Sequence, residues 1–268
     1  MQKTEPAGDP AIRYAVEDGV ALLTLNRPHR KNAFTIPMVD AWADRLADAG
    51  SDDSVGAIVV TGAGDSFCAG IDLDALAEIE ATALARRSML TDHVHRVALT
   101  LDRLDKPVIA AIRGAAVGAG MDMALMCDMR FASETMAMAA SYVRLGVVPG
   151  DGGCYYLPRL VGPAKALELL LSGEPVGAAD AERMGLVNRV YPDDRLLEET
   201  LAFARRLAAG PPVAVRLIKR TVYQSARTDL ATALALAGSH MGVVMTMSDH
   251  AEGVAALREQ RAATFTGR

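Results

Sequence analysis

Residues 114–127, GAAVGAGMDMALMC, hold one carboxylate, Asp122, in a segment that is otherwise uncharged and follows a turn of small residues. Gly118, Ala119 and Gly120 leave the backbone open to another molecule. The unpaired N–H groups at the start of the helix predicted over 121–126 suit a developing anion. Helical side chains tilt toward the N-terminus, so Asp122 is expected to lean back over the N–H of Ala119, three residues earlier. In apolar surroundings its carboxyl should keep its proton to higher pH than usual, which suits a general acid or base near neutrality. A first-turn acid stabilised by the helix dipole is the plainer role for the same residue.

A related unit precedes it. Residues 57–61 read as a short apolar strand that runs into GAGDSFCAG, 62–70, and then Ile71, Asp72 and Leu73. Asp72 can cap the helix that follows, which leaves the N–H of Ile71 at its mouth. Strand 108–112 leads into the segment described first, so both units present their loops in the same sense, as parallel strands with right-handed crossovers require. Neither loop is a nucleotide loop. Phe67 stands where a dinucleotide loop has its third glycine, and no Gly-Lys-Ser/Thr occurs.

The elements that must position these loops follow from turn signals and periodicity. Segments 12–16 and 20–26 flank Asp18-Gly19 as a hairpin, and Pro37 opens an amphipathic helix to about Ala49. Between them His29, Arg30 and Lys31 could meet phosphates or belong to a solvated loop. A long helix is expected over 82–104, with His93 and His95 as surface or mouth residues, and strands over 129–133 and 136–139. Beyond Tyr155 the pattern is helical over 163–171, 178–184, 195–209, 212–224, 229–247 and 249–261, interrupted by a strand at 187–190. The last helices carry apolar faces larger than one small core needs, which points to subunit contacts.

At 268 residues and 51% hydrophobic composition the chain can bury a large α/β core. A net charge of -5 without any Lys/Arg-rich run argues against a nucleic-acid surface. Residues 1–10 lack the apolar centre of a signal peptide, and no stretch reaches the ~18 to 20 apolar residues of a membrane span, so a cytoplasmic protein is expected. Cys68, Cys127 and Cys154 lack metal or disulfide spacing and read as small buried hydrophobes.

Leu25-Asn26-Arg27-Pro28 with Asn32-Ala33, FCAGIDL at 67–73, the segment 114–128, GVVPGDGG at 146–153, AERMGLVNRV at 181–190 and the closing 258–268 together resemble the crotonase, or enoyl-CoA hydratase/isomerase, superfamily. The resemblance implies a crotonase-like ββα spiral core over 1–195 and a C-terminal helical oligomerisation region over 196–268, in homotrimers or dimers of trimers. It implies an acyl-CoA thioester substrate, with CoA arriving as part of the substrate and no metal or redox cofactor. The backbone N–H groups of Ile71 and Ala119 take the place of the family's oxyanion hole. Arg30, Lys31, Ala33, Cys68, Ala69, Gly70, Asp72 and Leu73 take that of its CoA contacts. The methionines at 121, 123, 126, 136 and 138 could line an acyl pocket or simply fill the core.

Hydratases of the family use two glutamates to hold and deprotonate water. This chain has Asp122 at the first of these positions and Tyr142 at the second. Asp151 lies one residue beyond the place where some isomerase relatives carry an aspartate, and capping the next helix is its plainer role. The expectation is an acyl-CoA enzyme of the hydratase/isomerase type that stabilises a thioester enolate, with Asp122 as proton carrier. The alternatives are another thioester-enolate reaction (decarboxylation, ring closure or hydrolysis) and a catalytically silent acyl-CoA-binding or scaffolding protein.

Overall fold

The computed structural model describes residues 10–268. Strands β1 (Ile12–Glu17) and β2 (Val20–Leu25) form the expected antiparallel hairpin, and Asp18 and Gly19 both take positive φ at its turn. The chain continues through α1 (Ile36–Ser51), β3 (Ala57–Gly62), α2 (Leu73–Ala77), α3 (Ala83–Ser88), a π-helical segment (Met89–Val94), α4 (His95–Arg103), β4 (Val108–Ile112), β5 (Ala115–Val117) and α5 (Ala119–Leu125). Next come β6 (Met129–Ser133), β7 (Ala137–Ala139), α6 (Gly153–Val161), α7 (Pro163–Ser172), β8 (Val176–Gly177), α8 (Ala178–Arg183) and β9 (Arg189–Tyr191). Helices α9 (Leu196–Ala208), α10 (Pro212–Ser225), α11 (Leu230–Met245) and α12 (Ser248–Glu259) close it.

The main sheet runs β1-β2-β3-β4-β6-β9, parallel from β2 onward. Residues of β3 and β4 are buried on both faces, which is why these strands read as continuous apolar runs. Their period of two divides the core. Ile58, Val60, Val108, Ala110 and Ile112 pack inward with Trp42, Leu46 and Val97 from α1 and α4. Ala57, Val59, Ile109 and Ala111 face Leu196 and Ala204 of α9. Helix α9, expected with the C-terminal region, therefore lies on the outer face of the main sheet.

A second layer carries the site. Strand β5 pairs parallel with β7, and β7 pairs with β8. Two single-residue parallel bridges, Cys68 with Ala116 and Phe34 with Ile71, extend this layer toward the N-terminus. Each of β2, β3, β4 and β6 is thus followed by a short second-layer segment and then by helix, which is the ββα spiral. The sequence hid β5 in a glycine turn and β8 between two helices, because strands of two or three residues show no periodicity. The segment expected as one helix over 82–104 is helical throughout but changes to π geometry at 89–94.

Of the cysteines, Cys68 and Cys127 are buried as expected, whereas Cys154 is exposed near the start of α6. No residue of α10 or α11 is buried, and Leu230, Leu234, Met241, Val243 and Met245 are exposed along α11. Among the described residues no single helix is long and apolar enough to cross a membrane.

The layer spacing makes a mutational prediction. A Cβ on Gly120 would lie 2.1 Å from the carbonyl oxygen of Cys68, a backbone atom with no room to retreat. Gly120→Ala is expected to lower the unfolding free energy by about 2 kcal/mol or more. Urea unfolding followed by circular dichroism reads the loss, and an unchanged midpoint would refute the close approach.

Candidate active site

The site begins with two backbone turns. In the second layer the N–H of Cys68 donates to Ala115 O (3.0 Å) and the N–H of Val117 donates to Cys68 O (3.0 Å), which locks the chain at 68 beside β5. Ile71 lies three residues after Cys68 and Ala119 three after its bridge partner Ala116, and both residues line one cavity. The neighbouring groups are spent: Phe34 N–H donates to Gly70 O, Asp72 N–H to Phe34 O and Gly118 N–H to Ala139 O. No acceptor for the N–H of Ile71 or of Ala119 is found among the described residues.

Glycine is required twice here. Gly70 has φ +95°, and a Cβ on it would lie 2.9 Å from Val117 O and 3.4 Å from Ala119 N. Gly118 has φ 53° and ψ -122° and faces open space, so ligand can lie against it. The first turn is latched from outside by the buried Asn32, whose Nδ2 donates to Ala63 O (2.8 Å) and Ser66 O (2.7 Å) while its Oδ1 accepts from Arg27 N–H (2.9 Å).

Asp72 caps α2 as expected, accepting from Asp74 N–H (3.0 Å), and is gripped by Arg27 (2.9 Å) and Arg30 (3.1 Å). Burial raises its pKa, but the hydrogen bonds from Arg30 and Arg27 outweigh it and hold the carboxyl at about 2. These contacts redistribute the residues expected to meet CoA. Ala69, Gly70 and Leu73 line the same cavity as Ile71 and Ala119. Arg30, ion-paired to Asp72 and Asp74, borders a separate cavity with Asp72, Arg27 and His29. Lys31 is exposed, and the Ala33 carbonyl accepts from Arg27. The Cys68 thiol is buried against Asn32 O (3.2 Å), and burial pushes its pKa up to about 12.

The cavity has a volume of about 740 Å³ and is mostly apolar. Tyr142 and Asp151 line it together with Gly70 and Gly118 of the glycine turns, while Asp122 does not reach its wall. The three expected catalytic side chains nevertheless meet. The Tyr142 hydroxyl lies 2.7 Å from Asp122 Oδ2 and 2.7 Å from Asp151 Oδ2, and Gly153 N–H donates to Asp122 Oδ2 (2.8 Å). Two expectations are corrected. Asp122 does not lean over Ala119; its carboxyl is held at the start of α6, where a Cβ on Gly153 would come within 2.5 Å of it. Asp151 does not cap α6 either, because Gly152 takes the cap position at φ 121° and the Asp151 carboxyl turns to Tyr142.

A phenol has one proton to donate, so two short contacts to carboxyl oxygens require a second proton on one of the carboxyls. The pair therefore carries a single negative charge. Burial raises Asp122 to about 7, with the nearby Asp151 charge adding to it against the hydrogen bonds from Tyr142 and Gly153. Burial also raises Asp151, opposed by Tyr142 and by His95. Asp122 Oδ1 is buried without a partner among the described residues, a further cost to the ionised form. Burial and the two carboxyls push the Tyr142 hydroxyl far above its usual range, so it stays a phenol.

Sequence reasoning missed several contributors. His95 Nε2 lies 2.8 Å from Gly150 O and so holds the loop that carries Asp151, while His93 pairs with Asp40 (2.8 Å). Gly153 and Arg86 were also missed, the latter in the cavity wall. Apart from Gly153, the last residue of GVVPGDGG, none of these lies in a quoted motif; each acts through a contact across the fold.

Residues 15–268 match the family model described as enoyl-CoA hydratase/isomerase. A crotonyl-CoA hydratase from Syntrophomonas wolfei is 34% identical over 250 residues, 93% of this chain and 95% of that protein. The solved structure of an enoyl-CoA hydratase from Mycobacterium smegmatis superposes with a TM-score of 0.90 at 34% identity, covering 96% of this chain and 99% of the other. That of an enoyl-CoA hydratase from Bacillus anthracis gives a TM-score of 0.90 at 31% identity, covering 97% and 100%.

The raised carboxyl predicts a pH dependence. With its pKa moved from 3.8 to about 7, Asp122 holds its proton in the folded chain over a range where the unfolded chain has released it. The native state then binds more protons than the unfolded state, so stability falls as pH rises from about 4 to about 7 and levels off above. Asp122→Asn cannot ionise. The unfolding free energy of the wild type minus that of the variant should decline across this window, and a flat difference would show that Asp122 ionises as freely as a solvated carboxyl.

Proposed function

The chain belongs to the enoyl-CoA hydratase/isomerase family, and on that premise we propose a specific reaction for it: a proton shift along the acyl chain of an enoyl-CoA thioester. The thioester oxygen sits between the N–H groups of Ile71 and Ala119. Asp151, the carboxyl on the cavity wall, takes a proton from the carbon beside the double bond. The electron pair moves into the conjugated thioester, its oxygen gains charge and the two donors stabilise it. Asp151 then returns a proton to the other end of the allylic system, and the double bond has moved with no net change in atoms.

Asp122 has a different role in this reading from the one its sequence position suggests. It stands behind Tyr142 and shares protons with Asp151 through that hydroxyl, which keeps one carboxyl available as base while the other holds a proton. The observation that carries the reading is the Asp122–Tyr142–Asp151 chain with only its Asp151 and Tyr142 end in the cavity. Among the described residues one carboxyl, Asp151, lines this cavity, whereas water addition is suited by two carboxylates facing one water.

We also propose that α10 to α12 cover their exposed apolar faces against other copies of the chain, as a homotrimer or a dimer of trimers. Leu230 at 75% and Leu257 at 82% exposure support this, since apolar side chains in such number rarely stay in water.

Incubating a 3-enoyl-CoA with the enzyme in D2O should give the 2-enoyl isomer with deuterium in the allylic system. Asp151→Asn should slow this at least a hundredfold. Ala119→Pro, which deletes one donor at a first helical position that accepts proline, should slow it by about a hundredfold to a thousandfold with the fold kept. Hydration of a 2-enoyl-CoA without isomerisation would sink the proton-shift reading in favour of water addition. Sedimentation velocity should find three or six copies; a monomer at micromolar concentration would remove the assembly proposal.

A further inference from the structure

The acyl wall of the cavity is apolar except at one residue. Leu73, Leu76 and Ala77 of α2 with Met89, Leu90 and Val94 of the π segment form it, and Arg86 of α3 is set among them as the one cation in the lining. Its Nη1 donates to Leu76 O (2.6 Å), the only hydrogen bond its guanidinium makes among the described residues. Neighbouring guanidiniums are differently engaged. Arg30 is paired with Asp72 and Asp74, and Arg96 with Asp40 and Asp44. Among the described residues Arg86 meets no carboxylate, and the one carboxyl lining the cavity, Asp151, is taken up by Tyr142.

A guanidinium has five N–H donors in a planar fork that matches a carboxylate, and one of these is used here to fix the group to the end of α2. The residue lines a cavity whose neighbouring side chains, Leu73, Leu76, Met89 and Leu90, suit methylenes. We infer that Arg86 receives an anionic group at the far end of the acyl chain, so that the substrates are mono-CoA thioesters of dicarboxylic acids. The inference rests on the acyl-CoA reading above and narrows it. An apolar tail leaves the half-buried Arg86 with its single backbone acceptor. A terminal carboxylate gives it a charge-assisted, two-point contact and is itself repaid for leaving water.

A CoA phosphate is the other anion present in such a ligand, and paired ligands separate the two sources. Calorimetric binding of succinyl-, adipyl- and suberyl-CoA is compared with that of butyryl-, hexanoyl- and octanoyl-CoA on the full chain, as wild type, Arg86→Met and Arg86→Lys. Binding is read because it does not depend on which reaction follows. At least one dicarboxylic thioester is expected to bind the wild type on the order of tenfold more tightly than its monocarboxylic match. That ratio should fall to about one in Arg86→Met and be partly kept in Arg86→Lys. A wild-type ratio of one or less for every pair overturns the inference and leaves the acyl-CoA reading standing. An equal loss for both members of each pair in Arg86→Met also overturns it, by placing the guanidinium on a CoA phosphate. Failure of all six thioesters to bind would instead remove the acyl-CoA reading itself.

Discussion

The hydrogen bonds that tie Cys68 to residues 115 and 117 set the spacing on which the rest of the site depends. They make two loops from different turns of the spiral run as neighbouring strands for a residue or so, just before each opens into helix. Everything else at these loops serves that contact. Gly120 and Gly70 are small because backbone lies where a Cβ would go, and Asn32 ties down the loop before Cys68. Asp72, held ionised by two arginines, fixes the start of α2 immediately after Ile71. The chain spends buried ion pairs and glycines on placing two peptide units.

Against this rigid pair stands a polar cluster of the opposite character. Asp122, Tyr142 and Asp151 are three buried groups with too few protons to satisfy all their oxygens as neutral species and too little solvent to carry two charges. The balance is one charge shared over the set. The N–H of Gly153 favours charge on Asp122, while the unpartnered Oδ1 and burial oppose it. His95 acts at the other end by holding the Gly150 carbonyl, which fixes the loop on which Asp151 rides. Small energetic differences therefore decide where the proton resides, and that is the condition under which a proton moves easily.

The strands of the main sheet, the principal helices and both glycine turns were legible in the sequence because each follows from local pattern: apolar runs, amphipathic period, and Gly, Pro or Asp at turns. The partners of Asp122 were not. Tyr142 is 20 residues away and Gly153 is 31 away, and nothing near Asp122 says that its carboxyl points to them rather than to Ala119. Asp151 misled for a related reason. Local chemistry makes an aspartate ahead of a helix a cap, but Gly152 at positive φ fills that place and frees the carboxyl for a tertiary contact. The second layer was partly hidden too, since single-residue bridges at Phe34 and Cys68 have no period to detect. The division at residue 195 came with the family resemblance, and only the packing shows that α9 lies on the sheet.

In the proposed reading Ile71 and Ala119 act through peptide N–H groups, so the donors do not depend on the side chains, although Ala119 is itself packed in the core. Almost any replacement keeps the donor, proline excepted, provided the glycines beside them persist. The electrophile's seat is thus insulated from most point mutations, while Tyr142 and Asp151 sit one nucleotide change from other functional groups. Heritable change at this site will alter what is done to a bound thioester more readily than whether one is held.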